Sequence, residues 1–219
     1  MLSTGTRQRD LWFIALCAMI LLGPGCASTL HIDSTFPRPL VESLPLDVGV
    51  YYDETLRRFT FEREAGSKSA AWHIELGEAH VRLFDRVFQP LFENLVHVDT
   101  LDAAASAMPP VIIMEPSIDE YILMTPMDTS MNDYEVTIRY SLGFHLPSGE
   151  LIKRWSFSGH GKSRAAMFSN SETVENATVA AMRDAAAWLV IEFNRNPGIE
   201  ALLQARKADN ENETSDQDS

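Results

Sequence analysis

Few residues in this 219-residue chain have types and spacings that could do chemistry. Gly161-Lys162-Ser163 matches the last three positions of a phosphate-binding loop, in which backbone N–H groups cradle phosphates and the lysine reaches their oxygens. Such a loop needs another glycine five residues before Gly161, and that position is Ser156. It also needs a helix directly after it, whereas "RAAMFSNSE" intervenes. The expected structure is a strand end running into a loop, with Gly159 and Gly161 permitting an irregular backbone. The histidines are His31, His73, His80, His97, His145 and His160, and no two have the spacing of a helical zinc site. His73-Ile74-Glu75 lacks the downstream cysteines of a deaminase. A simple hairpin register puts His145 beside the turn and His160 at the far end, too far apart to share a metal. No serine stands in a Gly-x-Ser-x-Gly elbow. Asp119 and Glu120, beside Tyr121, read as solvated acids of a strand. The chain is therefore expected not to be an enzyme and to hold no cofactor or metal. A buried polar cluster around His80, His97 or His160 would instead mark a hydrolase.

Two further sets of residues suit attachment rather than turnover. Met108, Met114, Met124, Met127 and Met131 gather in the middle of the chain, and Pro109, Pro110, Pro116 and Pro126 keep that stretch irregular. Flexible thioethers fill cores, and they also make adaptable apolar contacts. Met114, Met124, Met127 and Met131 are thus candidates for a partner surface, with core packing as the plainer reading. The second set is Cys17 and Cys26, the only cysteines. Arg7 and Arg9 precede the unbroken apolar run "LWFIALCAMILL" at 11–22, and the small, turn-forming "GPGC" ends it. Charge, apolar run and small residues in that order make a secretory signal. The run is short for a bilayer span, which takes about 20 residues.

The end of this segment resembles the lipobox of bacterial lipoprotein precursors: an aliphatic residue, two small residues, and a cysteine that becomes the lipid-bearing N-terminus. Gly25-Cys26 carries the match, while Gly23 stands where leucine is usual. The resemblance implies a cut after Gly25 and several acyl chains on Cys26. One chain binds a membrane marginally, whereas several hold stably. Ala27, in place of an inner-membrane-retaining aspartate, implies the outer membrane. Plain secretion or an uncleaved anchor, and burial as an ordinary helix, are the other readings of the segment. With Cys17 removed, Cys26 would have no partner for an intrachain disulfide.

Composition sets further bounds. The net charge is −13 with no Lys/Arg cluster, which excludes nucleic acid as a partner, because binding phosphates takes concentrated positive charge. Hydrophobic residues at 45% and charged residues at 22% are ordinary for a globular domain.

The elements that must position these residues follow from periodicity. Residues 26–44, with Pro37 and Pro39, read as a lipidated N-terminus and tether. "LDVGVYY" alternates as a strand, and so does "LRRFTFERE". From Trp72 to Leu95 the apolar spacing turns helical, with Pro90 predicting a kink or early end near Gln89. "LVHVDT" and "VIIMEPSIDEYILMTP" are strand material. Tyr134, Val136, Ile138, Tyr140, Leu142 and Phe144 share one face, "PSGE" turns, and Leu151, Trp155 and Phe157 continue that face: a hairpin covered on one side. A second long helix follows from a cap at Ser169 or Ser171. Its stripe is Val174, Ala177/Thr178, Ala181, Ala185, Trp188/Leu189 and Phe193, and Asn196-Pro197-Gly198 stops it. "IEALLQARKA" could add a short helix, and 208–219 read as a disordered acidic tail.

The expected organisation is a signal at 1–25, the tether at 26–44, one α+β domain at 45–207 and the tail. The domain has an antiparallel or mixed sheet with two long helices on one face. Lipobox, tether and small α+β domain resemble periplasm-facing outer-membrane lipoproteins, such as those of lipopolysaccharide assembly, curli secretion and transport systems. The resemblance rests on Gly25-Cys26, "LDVGVYY" and the closing hairpin-plus-helix. It implies a non-enzymatic accessory or assembly component, anchored to the membrane through Cys26 and meeting an envelope protein or lipid. The alternative is a lipid-binding auxiliary subunit of an envelope transport system.

Overall fold

The computed structural model describes residues 28–32, 35–66, 70–103, 109–165, 170–193 and 195. Cys17, Gly25, Cys26, the signal and the acidic tail lie outside them.

The long hairpin folds as its alternation predicts. β7 (Asp133–His145) pairs antiparallel with β8 (Leu151–Arg164), with Tyr134, Val136, Ile138, Tyr140, Leu142 and Phe144 all buried. β6 (Ile112–Met124) lies on the other side of β7. Asp119 is a bulge in β6: Ile118 pairs with Tyr140 and Glu120 with Arg139, leaving Asp119 no partner. One extra residue reverses the alternation. Before it Met114 and Pro116 are buried, and after it Tyr121 and Leu123 are. Pro116 is tolerated inside the strand because the next strand, β2 (Leu44–Val50), pairs with β6 only at Ile112–Met114. β5 (Phe92–His97) completes a five-stranded mixed sheet of order β5-β2-β6-β7-β8.

A second sheet departs from the expected single one. It has three strands, β1 (Ser28–His31), β4 (Trp72–Glu75) and β3 (Thr60–Arg63), in the order β1-β4-β3. β1 falls where a tether was expected. Leu30, Ile32 and Phe36 are buried, and each buried side chain of this size stabilises by roughly 1.5–3 kcal/mol. Leu30, Ile32 and Phe36 are thus part of the core. A four-residue helix, α1 (Glu54–Arg57), interrupts the strand expected across "LRRFTFERE". Asp53 caps it by accepting the Leu56 N–H at 2.7 Å.

α2 (Gly77–Leu91) buries Leu83, Phe84, Val87, Phe88 and Leu91, the predicted stripe. It starts five residues later than expected, because Trp72 and Ile74 alternate inward on β4 before the helix begins. Pro90 sits in its last turn, and β5 starts at once with Phe92. α3 (Pro126–Thr129) is a single turn between β6 and β7. α4 (Asn170–Phe193) buries Val174, Ala177, Thr178, Ala181, Ala185, Leu189 and Phe193.

Both long helices cover the same face of the large sheet. Tyr140 meets Phe84 of α2 edge-on and stacks on Phe157, which stacks on Trp188 of α4. Phe193 closes the cluster against Phe88, Phe92, Phe144 and Trp155. The small sheet lies on the same face near the β6–β7 turn, through Phe61 on Tyr121 and Trp72 on Tyr134. The fold is α+β.

Candidate functional site

Gly161-Lys162-Ser163 lies within β8, not in a loop. Gly159 and Gly161 serve packing rather than irregularity. A Cβ on Gly161 would sit 1.9 Å from the Ala177 carbonyl oxygen, and one on Gly159 would sit 2.0 Å from that of Ala181. Their absent side chains let the alanine face of α4 touch the strand. Lys162 points to the outer face of the sheet, where Glu135 (2.8 Å) and Asp133 (3.1 Å) hold it. Their hydrogen bonds raise its pKa, the one to Glu135 most.

The histidines divide into separate settings. His145 is buried beside the β7–β8 turn, 3.0 Å from Glu115, and His160 at the far end contacts Thr137 at 3.1 Å. His31, Glu75, His73 and Glu62 form a row across the small sheet, with contacts of 2.9, 3.5 and 3.2 Å. His97 donates to Asp85 at 2.8 Å, and the same carboxylate oxygen accepts the Tyr52 hydroxyl at 2.7 Å. Burial first, and then Asp85, raises the Tyr52 pKa. A His–Asp pair needs a nucleophile on the imidazole to work as a triad. Among the described residues the His97 ring hydrogen-bonds Asp85 alone.

His80 is the most enclosed of the six. Its Nδ1 lies 2.8 Å from the Leu76 carbonyl oxygen and its Nε2 2.8 Å from the Tyr140 hydroxyl. A carbonyl only accepts, so Nδ1 carries the proton and Nε2 accepts from Tyr140. Complete burial brings the His80 pKa down to about 4, against a small opposing effect of the Leu76 carbonyl. The pair is sealed among Phe84, Tyr140 and their neighbours, with no access for a substrate. Among the described residues no three His, Cys, Asp or Glu side chains are gathered so as to hold a metal ion.

The four methionines do not act together. Met114 is buried in the core beside Phe144, which corrects its place in the expected partner surface. Met124, Met127 and Met131 are exposed around α3. Beneath them Arg63 Nη1 donates to the Leu123 carbonyl (3.2 Å) and Asp128 (3.3 Å). Arg63 Nε, Arg63 Nη2 and Trp72 Nε1 are buried without a hydrogen-bond partner among the described residues. Asp119, the bulge residue, accepts from Ser141 at 2.6 Å, and Glu120 pairs with Arg139.

Two surfaces that the sequence did not point to stand open. The first is the β8 edge. The His160 N–H points away from β7 and donates to Asp184 of α4 at 3.0 Å. By strand alternation Arg154, Ser156, Ser158 and Lys162 turn their backbone groups the same way. Among the described residues no strand pairs with them. Leu151 and Ile152 are exposed beside them. The second is an apolar groove between residues 36–41, α2 and α4, with a volume of about 360 Å³.

No protein-family model matches this sequence, and no curated protein does. Solved structures show general likeness. A Xanthomonas campestris protein assigned to DUF330 is 10% identical with TM-score 0.48, over 74% of this chain and 92% of that one. A minor lipoprotein from Acinetobacter baumannii is 8% identical with TM-score 0.38, over 71% and 95%. An uncharacterized lipoprotein B from Nitrosomonas europaea is 14% identical with TM-score 0.36, over 77% and 97%. Likeness of this degree transfers neither family nor function to this chain. Among the described residues no helix is long and apolar enough to cross a membrane.

Proposed function

We propose that this chain is a non-enzymatic accessory protein of the bacterial cell envelope, anchored through lipid on Cys26 at the periplasmic face of the outer membrane. It binds another envelope protein. The observation that carries the binding role is the β8 edge: a long strand with outward backbone groups at Arg154, Ser156 and Ser158, beside a core filled with aromatic rings. An extended segment of a partner adds to such an edge by main-chain hydrogen bonds. Lys153 and Arg154 favour acidic side chains on that segment.

The test is capture of the intact protein and its Ser156→Pro variant from membranes under mild detergent. Proline removes one outward N–H without touching the pairing to β7. A protein recovered with the native chain and lost with the variant supports the reading. Equal recovery by both, or none by either, counts against it. The anchor has its own test: a Cys26→Ala chain with its signal removed leaves the membrane fraction. Retention there would defeat the lipoprotein reading.

A second reading, a lipid-binding auxiliary subunit of an envelope transport system, draws on the apolar groove. Lipid recovered with the native chain would favour it.

A further inference from the structure

The apolar groove has a direction. Residues 35–41 form one wall and run along α2 the same way as that helix. The Phe36 carbonyl accepts from Arg86 at 3.1 Å, and further on Ser43 donates to the Pro90 carbonyl at 3.1 Å. Arg183 of α4 donates to the Thr35 carbonyl at 3.3 Å, so it stands at the start of this wall. Phe193 packs on Phe88 and Phe92, so α4 runs the same way as α2. Ile191 therefore lies two turns beyond Arg183, about 12 Å along the groove at 1.5 Å per residue. Ile191 is half exposed, and Leu40, on the same stretch of the facing wall, is fully exposed.

One end of the groove is thus basic and the other apolar. Among the described residues that line it, the charged ones are Arg38 and Arg183, with no aspartate or glutamate, on a chain of net charge −13. Arginine binds carboxylate and phosphate through paired N–H donors. Between the ends run Leu83, Val87, Ala187 and Val190. An extended peptide would bring unpaired backbone N–H and C=O groups against these side chains, and an acyl chain brings none. The volume of about 360 Å³ is at the small end for a ligand pocket, which suits one acyl chain rather than two.

We propose that the groove binds a single acyl chain with an anionic head, the head at Arg38 and Arg183 and the tail running towards Leu40 and Ile191. The proposal rests on the lipid-binding reading of this groove and is independent of the β8 edge. The head is a carboxylate or a phosphate, from a free fatty acid or a single-chain phospholipid.

Photolabelling of the full chain in phosphatidylcholine vesicles tests it. The probes are tetradecanoic acid, the lysophosphatidylglycerol of that acid, and neutral tetradecanol, each with a diazirine at the tail end. Peptide mapping should place the label of the anionic probes around Leu40, Val190 and Ile191, at least fivefold above that of tetradecanol. Label from only one anionic probe supports the proposal and identifies the source. Arg38→Glu should cut labelling by the anionic probes at least fivefold and leave that by tetradecanol unchanged. Ala187→Phe, which fills the groove, should block every probe. Arg38 and Ala187 are both exposed, so the fold survives either change. Groove labelling by tetradecanol equal to that by the acids overturns the anionic head and leaves the lipid-binding reading standing. No label in the groove from any probe, or label that Ala187→Phe leaves intact, overturns both.

Discussion

The Tyr140 hydroxyl donates to His80 Nε2 at 2.8 Å, in the middle of the interface between the large sheet and α2. The other ring nitrogen is committed to the Leu76 carbonyl at 2.8 Å. Nδ1 already carries its proton, so a second could go only to Nε2, where the Tyr140 hydroxyl would have to turn from donor to acceptor. Among the described residues no carboxylate is hydrogen-bonded to the ring to favour that charge. Burial holds the His80 pKa near 4, below the ordinary 6.5.

Acid stability follows from this pair. The unfolded chain binds a proton at His80 more readily than the folded one. The contribution is fully present above pH 6.5 and is lost as pH falls towards 4. The loss is roughly 3 kcal/mol, at about 1.4 kcal/mol per pH interval. Urea midpoints of the native chain and a His80→Leu/Tyr140→Phe variant, measured at pH 7.5, 6 and 4.5, should converge as pH falls. Parallel midpoints across that range would refute the assignment.

Contact between α4 and β8 depends on two missing side chains. Gly161→Ala puts a methyl group 1.9 Å from a backbone oxygen, so the helix must lift off the strand. Overpacking of this kind costs about 1–3 kcal/mol or more. Thermal unfolding of Gly159→Ala and Gly161→Ala should show a lowered Tm for each. An unchanged Tm would mean that α4 does not sit on these residues.

Leu30, Ile32 and Phe36 act as core rather than as part of a tether. Ile32→Ala should destabilise the domain by about 2–5 kcal/mol, the range for truncating a buried aliphatic side chain. Leu40→Ala, on a fully exposed side chain, should stay within about 0.5 kcal/mol. Chemical denaturation of the two variants distinguishes a packed segment from a free one.

Asp184 guards part of the β8 edge by taking the His160 N–H. Asp184→Ala exposes that donor and removes a charge that discourages strand addition. Sedimentation at increasing concentration should show more self-association than the native chain. Identical sedimentation would show that the carboxylate has no protective effect there.

Long alternations made the hairpin legible, because six inward residues in β7 leave only one face to bury. The α4 stripe is equally plain. What stayed hidden was short or local. β1 has only four residues, set among prolines and polar residues, so its inward Leu30 offers no period to read. Trp72 and Ile74 on β4 run straight into Leu76 and the α2 stripe, so their spacing reads as one continuous helix. Gly159 and Gly161 resembled a loop because the reason for them, α4 lying against the strand, is tertiary. The groove could not be read at all. It exists only because residues 36–41 pack beside two helices distant in sequence.

The pairing of β1 with β4 bears on how the domain is carried. Ser28 is already in register with Trp72, and Ala27 alone lies between it and Cys26. A lipid on Cys26 would leave almost no leash. The domain would stand on the bilayer by the edge of its small sheet, held at a fixed bearing, and its reach would be set by its own dimensions rather than by the swing of a linker. A partner approaching β8 would then come from a defined side and height above the membrane.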